Sequence, residues 1–164
     1  MPILLGERAV DLIKDYLAAN LATHVADIND ETAFMPVELK VPQTFATSER
    51  RVLPNPLPAI LVIAEDTSLE GVIDSPGFGM NTYTSVTIYV VDVHPDQDVL
   101  RTLMYRHVAA IVRCLRAGEA DAEFAYVYRD PLASYGPVYV DQESQILFGD
   151  AQVRIRVLLE ESEP

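Results

Sequence analysis

The sequence predicts an α+β fold: a single domain in which two principal helices pack on a mixed or mainly antiparallel sheet. Three observations carry this. A segment with alternating apolar residues, Thr82-Tyr-Thr-Ser-Val-Thr-Ile-Tyr-Val-Val-Asp-Val93, runs through His94-Pro95 into an amphipathic helix ending at Gly118. An apolar run bounded by prolines, Leu57 to Ala64, precedes it as a candidate central strand. A second amphipathic stretch opens the chain.

That opening stretch, about Leu5 to Ala22, places Val10, Ile13, Leu17 and Leu21 at helical spacing, with Arg8, Asp11, Lys14 and Asp15 around the remaining surface. Neither glycine nor proline marks its end, so the helix has room for a further turn. Residues 30–56 read as an extended arm or edge strand. Met35, Val37, Leu39 and Val41 alternate there, while Pro36 and Pro42 remove donors that a central strand needs.

Residues 65–81, with Gly71, Pro76, Gly77 and Gly79, read as a flexible loop joining the strands at 57–64 and 83–93 as an antiparallel hairpin. In the second helix Leu100, Leu103, Met104, His107, Ile111 and Leu115 form the packing stripe, and Arg101, Arg106, Arg113 and Arg116 lie mainly off it. Pro95 suits the first helical position, and Asp96 and Asp98 complement the positive helix end. Glu123 to Tyr128 reads as a strand broken at Asp130-Pro131 and resumed at Val138 to Val140. Ala151 to Leu159 alternates with Val153, Ile155, Val157 and Leu159 on one face and Arg154 and Arg156 on the other. Residues 160–164 form an acidic tail.

The chain has 164 residues, 49% of them hydrophobic, enough for one core. No apolar run approaches the roughly 20 residues needed to cross a bilayer. The N-terminus lacks the basic and apolar regions of a secretory signal, which predicts a cytoplasmic site of synthesis and assembly. Net charge is −13, and residues 119–164 hold ten acids against three arginines, whereas the 118 residues before them hold fifteen acids against nine bases. Such a balance disfavours binding to nucleic acid phosphates.

No reaction centre emerges. His94 and Asp96 make an H-x-D without metal-ligand spacing, His107 falls on the apolar helix stripe, and Cys114 sits among apolar residues with nothing to activate it. Gly77-Phe-Gly79 is not followed by the Lys-Ser/Thr of a phosphate loop. The expectation is a protein that is not an enzyme, with no cofactor and no metal. Tyr126, Tyr128, Tyr135 and Tyr139 cluster within fourteen residues. That pattern fits an interface, and equally a sheet that uses tyrosine for its strand propensity.

The order of helix, long arm, apolar strand, loop, alternating strand, helix and final strands resembles the tail terminator, or tail completion, family of long-tailed bacteriophages. Leu57-Pro-Ala-Ile-Leu-Val-Ile63, Val86-Thr-Ile-Tyr-Val-Val91, and the helix through Leu100, Leu103, Val108, Ile111 and Leu115 carry the resemblance. It implies a small subunit of a hexameric ring that caps the tail tube, stops its polymerisation and presents a surface to a head-side connector protein. Genomic DNA would pass through without specific binding, and the protein would reside at the head-proximal end of the virion tail. A head-to-tail connector and a small ligand-binding regulatory domain are the alternative readings.

Candidate interface residues are Val37 and Leu39 on the arm, Phe78 in the glycine loop, and Tyr126, Tyr128, Tyr135 and Tyr139. An unpaired arm can add a strand to a neighbour. The late acidic excess is expected to face a DNA channel.

Overall fold

A computed structural model describes residues 5–47, 56–70 and 81–160. Helix α1 spans Leu5–Glu31 and helix α2 spans Gln97–Ala120. The strands are β1 (Thr44–Ala46), β2 (Ala59–Glu70), β3 (Asn81–Val93), β4 (Ala125–Tyr135), β5 (Tyr139–Val140) and β6 (Leu147–Glu160). They form one mixed sheet in the order β1-β2-β3-β6-β4, and β5 continues the β4 edge by pairing with β6. Only β1 and β2 run parallel; the other pairs are antiparallel, as the alternating strands and hairpin predict.

Both helices lie on the same face of the sheet, α1 over β2 and α2 over β6 and β3. The core follows from the two periodicities. On α1, Val10, Ile13, Leu17, Leu21, Val25 and Ile28 are buried, and on the facing side of the sheet so are Ile60, Val62, Val86, Ile88, Val90, Val153, Ile155 and Val157. These strand residues are register partners: Val62 opposes Ile88, which opposes Val153. One side of every central strand is therefore mainly apolar and buried, with Thr84 and Asp92 as polar members on β3.

Several boundaries differ from the expected ones for local reasons. Helix α1 continues nine residues beyond Ala22 because Val25 and Ile28 extend its apolar stripe. At its end the Thr32 N–H and hydroxyl both donate to the Ile28 carbonyl, at 3.0 and 2.7 Å, and the Asn29 amide accepts from the Leu39 N–H at 2.8 Å and donates to the Leu39 carbonyl at 2.9 Å, as a neighbouring strand would. The arm is consequently held by hydrogen bonds, and among its described residues only Thr44–Ala46 is strand. Residues 65–70 belong to β2, which pairs with β3 as far as Glu70 opposite Asn81, so strand replaces loop there. Residues 71–80 lie outside the described residues.

Pro95 precedes the α2 N-cap rather than opening the helix. The cap is Asp96, whose Oδ1 accepts from the N–H groups of Asp98 and Val99 at 2.8 and 3.1 Å, satisfying donors that the first turn leaves open. The Asp130-Pro131 break does not end β4. From Tyr128 to Ala133 the chain advances five residues while β6 advances two, from Ile155 to Val153, so the interruption is absorbed as a bulge. An edge strand tolerates this because one row of its backbone groups has no partner strand.

Gly118 does not stop α2, which runs two residues further. Its place is dictated by packing. A Cβ there would come within 2.5 Å of the Phe124 ring and 2.8 Å of the Tyr16 ring, two aromatics that meet edge to face with centroids 5.1 Å apart. Glycine lets α2 approach this pair where α1 and α2 cross. Gly118→Ala should therefore destabilise the fold by about 1–3 kcal/mol through overpacking, outweighing the ~1 kcal/mol that alanine gains in a helix. Chemical denaturation measures the difference directly; an unchanged or raised midpoint would show that the rings can move aside.

Candidate interaction surfaces

Side chains that could do chemistry are mostly committed to structure. His107, on the buried stripe of α2, is 1% exposed, and its Nε2 lies 2.9 Å from Asp92 Oδ2 at the end of β3. The other oxygen of Asp92 accepts from the Val93 N–H at 2.8 Å. This pair joins α2 to the sheet and explains a polar residue on an apolar stripe. Cys114 is buried without neighbours that would stabilise a thiolate, and burial pushes its pKa up to about 12. Among the described residues no three His, Cys, Asp or Glu side chains converge as a metal site would require.

Arg106 departs from the expected exposed ring of arginines. It is buried, and its guanidinium donates to the Val37 carbonyl and approaches Met35 Sδ at 3.3 Å. Its aliphatic stem packs while its head pins the arm to α2. Close by, Arg113 grips Glu31 with two parallel contacts, Nη1 to Oε1 at 2.6 Å and Nη2 to Oε2 at 2.8 Å. This bond holds the Glu31 carboxyl below its ordinary range and offsets the repulsion between a carboxylate and the C-terminal end of α1. A groove of about 400 Å³ opens between the arm and the β3–α2 turn, lined by Val37, Lys40, Leu57, Asp92, His94 and Leu103.

The candidate interface residues separate into three groups. Leu39 and Tyr126 are core: Leu39 is 2% exposed beneath the Asn29 clamp, and Tyr126 faces the helices across from Val157. Neither can reach a partner without unfolding its surroundings, so both are withdrawn as contacts. Val37 is half-buried, and its carbonyl is taken by Arg106. Tyr135 and Tyr139 are exposed. Phe78 lies outside the described residues, as does the side chain of Tyr128, whose backbone pairs with Ile155.

Two exposed apolar patches define the surface instead. One lies beside β1, on the arm: Phe34, Met35 and Val41. The other lies along the β4–β5 edge. There Tyr105 of α2 meets Tyr135 edge to face at 4.8 Å, Tyr139 stacks on Phe148 at 5.8 Å, and Val140 and Ile146 are exposed beyond them. Burial raises the pKa of both Tyr135 and Tyr139, so each stays protonated through the neutral range. Phe34 and Tyr105 were not among the candidates. Tyr105 was legible as an aromatic lying off the helical stripe, whereas Phe34 carried no periodic signal.

Among the described residues, the exposed late acids fall in two groups. Glu119, Asp121 and Glu123 are exposed where α2 turns into β4, and Glu143 is exposed in the turn before β6, beside the half-buried Asp141. The two groups flank opposite ends of β6, a span of roughly 40 Å at the usual rise per residue. Between them the open face of the sheet carries Arg154, 3.9 Å from Glu65, and Arg156, over the Tyr83 ring at 4.7 Å.

These features define an α+β protein with helices on one side of an open sheet and exposed aromatic residues at its edges. No protein-family model matches the chain, and no curated protein does. Among solved structures, the chain is similar to one from the virion of a native gene transfer agent (GTA) particle, with 12% identity and a TM-score of 0.32, over 88% of this chain and 94% of that one. No described helix is long and apolar enough to cross a membrane.

Removing the Asp92 carboxylate leaves His107 buried against nothing. Asp92→Ala should cost about 1–3 kcal/mol in urea denaturation, the penalty of an unsatisfied buried polar group, and His107→Leu in the same background should recover part of it. An Asp92→Ala variant as stable as the parent would show the pair to be dispensable. Cys114 should resist iodoacetamide at pH 8 in the folded protein and react once denatured; alkylation of the folded chain, followed by mass spectrometry, would contradict its burial.

Proposed function

We propose that this chain is a structural subunit of a phage-like virion, and within it the tail terminator: a ring, hexameric as the resemblance implies, that caps the tail tube, halts its growth and presents the surface on which a head-side connector protein docks. One observation supports this most. Exposed apolar residues occur in two separate places, on the arm at Phe34 and at the β4 edge around Tyr105 and Tyr135, and a subunit with two different sticky sites suits head-to-tail closure into a ring. The element order on which the sequence resemblance rests is consistent with it. A net charge of −13 suits a lumen through which DNA passes without adhering.

The role is architectural rather than catalytic: the polar residues with the most specific geometry, Asp92, His107, Arg106 and Asn29, are spent on holding α2 and the arm in place. The protein would act at the head-proximal end of the tail after assembly in the host cytoplasm. Electron microscopy of particles assembled without the chain tests the reading. Tails of uncontrolled length are expected. Unattached tails of normal length would reassign the chain to the head-to-tail connector, and normal particles would remove it from the virion.

A further inference from the structure

Phe34 is 83% exposed on the turn that follows α1, an unusual position for so large an apolar side chain. It is flanked in sequence by the exposed acids Asp30 and Glu38. On the other side of α2, a pocket of about 200 Å³ opens at the Tyr105–Tyr135 pair, with Met104 and Val138 in its wall and Arg101 at its lining. The two sites are held apart by neighbouring residues of one helix: Arg106 points to the arm, and Tyr105 to β4. At 83% exposed, Phe34 does not fill the pocket of its own chain.

We propose that Phe34 of one copy inserts into the Tyr105–Tyr135 pocket of the next, an inference that rests on the ring reading and names its contact. Size and chemistry agree. An apolar cavity of about 150 Å³ already accommodates benzene, and edge-to-face tyrosines offer a third ring the geometry that aromatic groups favour. Charge agrees as well, since the acids beside Phe34 would meet Arg101 at the pocket and so specify register between two strongly acidic chains. Knob and pocket are different patches, so the contact is heterologous: each copy uses both, and the chain of contacts closes as a ring or continues as a filament.

Cysteine cross-linking of the full chain tests this, because Cys114 is buried and does not compete. Under mild oxidation an equimolar mixture of F34C and Y135C chains should give a mixed disulfide dimer, and neither variant alone should. Self-linked F34C would indicate a two-fold contact and overturn the proposal. In sedimentation, F34A and R101E should lower the assembled fraction at least tenfold with circular dichroism unchanged, and E38R should restore assembly to R101E. If the wild type assembles and F34A assembles equally well, the contact is wrong while the ring reading stands. A wild type that stays monomeric at every concentration also overturns the contact, whereas tail length in particles lacking the chain decides the terminator role separately.

Discussion

Every residue of β3, from Asn81 to Val93, is paired with β6, while its other side pairs with β2 from Ala59 to Glu70. This central strand is the constraint from which the rest follows. With both its edges occupied, its side chains must satisfy a helix-covered face and an open one at the same time. The covered face is aliphatic, Val86, Ile88 and Val90. The open face places small residues, Ser85 and Thr87, between longer ones across the strands: Thr87 lies between Ile63 and Arg154. Both small residues are buried even though neither described helix lies over them. An uncovered sheet face thus stays closed to water by the reach of its flanking side chains.

The same strand sets the position of α2. Asp92, near its end, fixes His107, and the Asp96 cap starts the helix four residues later. From α2, Arg106 and Arg113 reach across to hold the arm and the last turn of α1. The helix pair is therefore hung from β3 by polar bonds at one end and closed by ring packing at the other, where Gly118 admits Tyr16 and Phe124. Polar groups here specify geometry, and apolar burial supplies the stability.

The fold was legible where periodicity was unbroken. The alternation of Val153 to Leu159 and the stripe from Leu100 to Leu115 each had one satisfactory solution. What escaped was set by contacts between distant residues. Asn29 and Leu39 look unrelated in sequence, yet their pairing ties the arm back to the last turn of α1. Alternation on the arm suggested a strand with an outward Leu39; the clamp instead turns Leu39 into the core. The surface was less legible for a related reason. Of the clustered tyrosines, Tyr135 and Tyr139 are exposed at the β4–β5 edge, but alternate residues of a strand face opposite sides, and Tyr126 falls on the helix side. Phe34 follows no period, so only its observed exposure identifies it.

The edges of the sheet bear on how copies of this chain could meet. The sequence suggested strand addition through an unpaired arm. In the folded chain β1 is only three residues long, and the opposite edge is interrupted twice, by the bulge around Asp130-Pro131 and by the gap between Tyr135 and Tyr139. Short and broken edges are poor templates for backbone pairing, and proteins use these devices to avoid edge-to-edge association. An interface between such edges has to be built from side chains, which supply selectivity that a row of identical backbone groups lacks. The β4–β5 edge carries exposed tyrosines next to its interruption, Tyr135 and Tyr139 on either side of the gap, where side chains rather than backbone groups are presented.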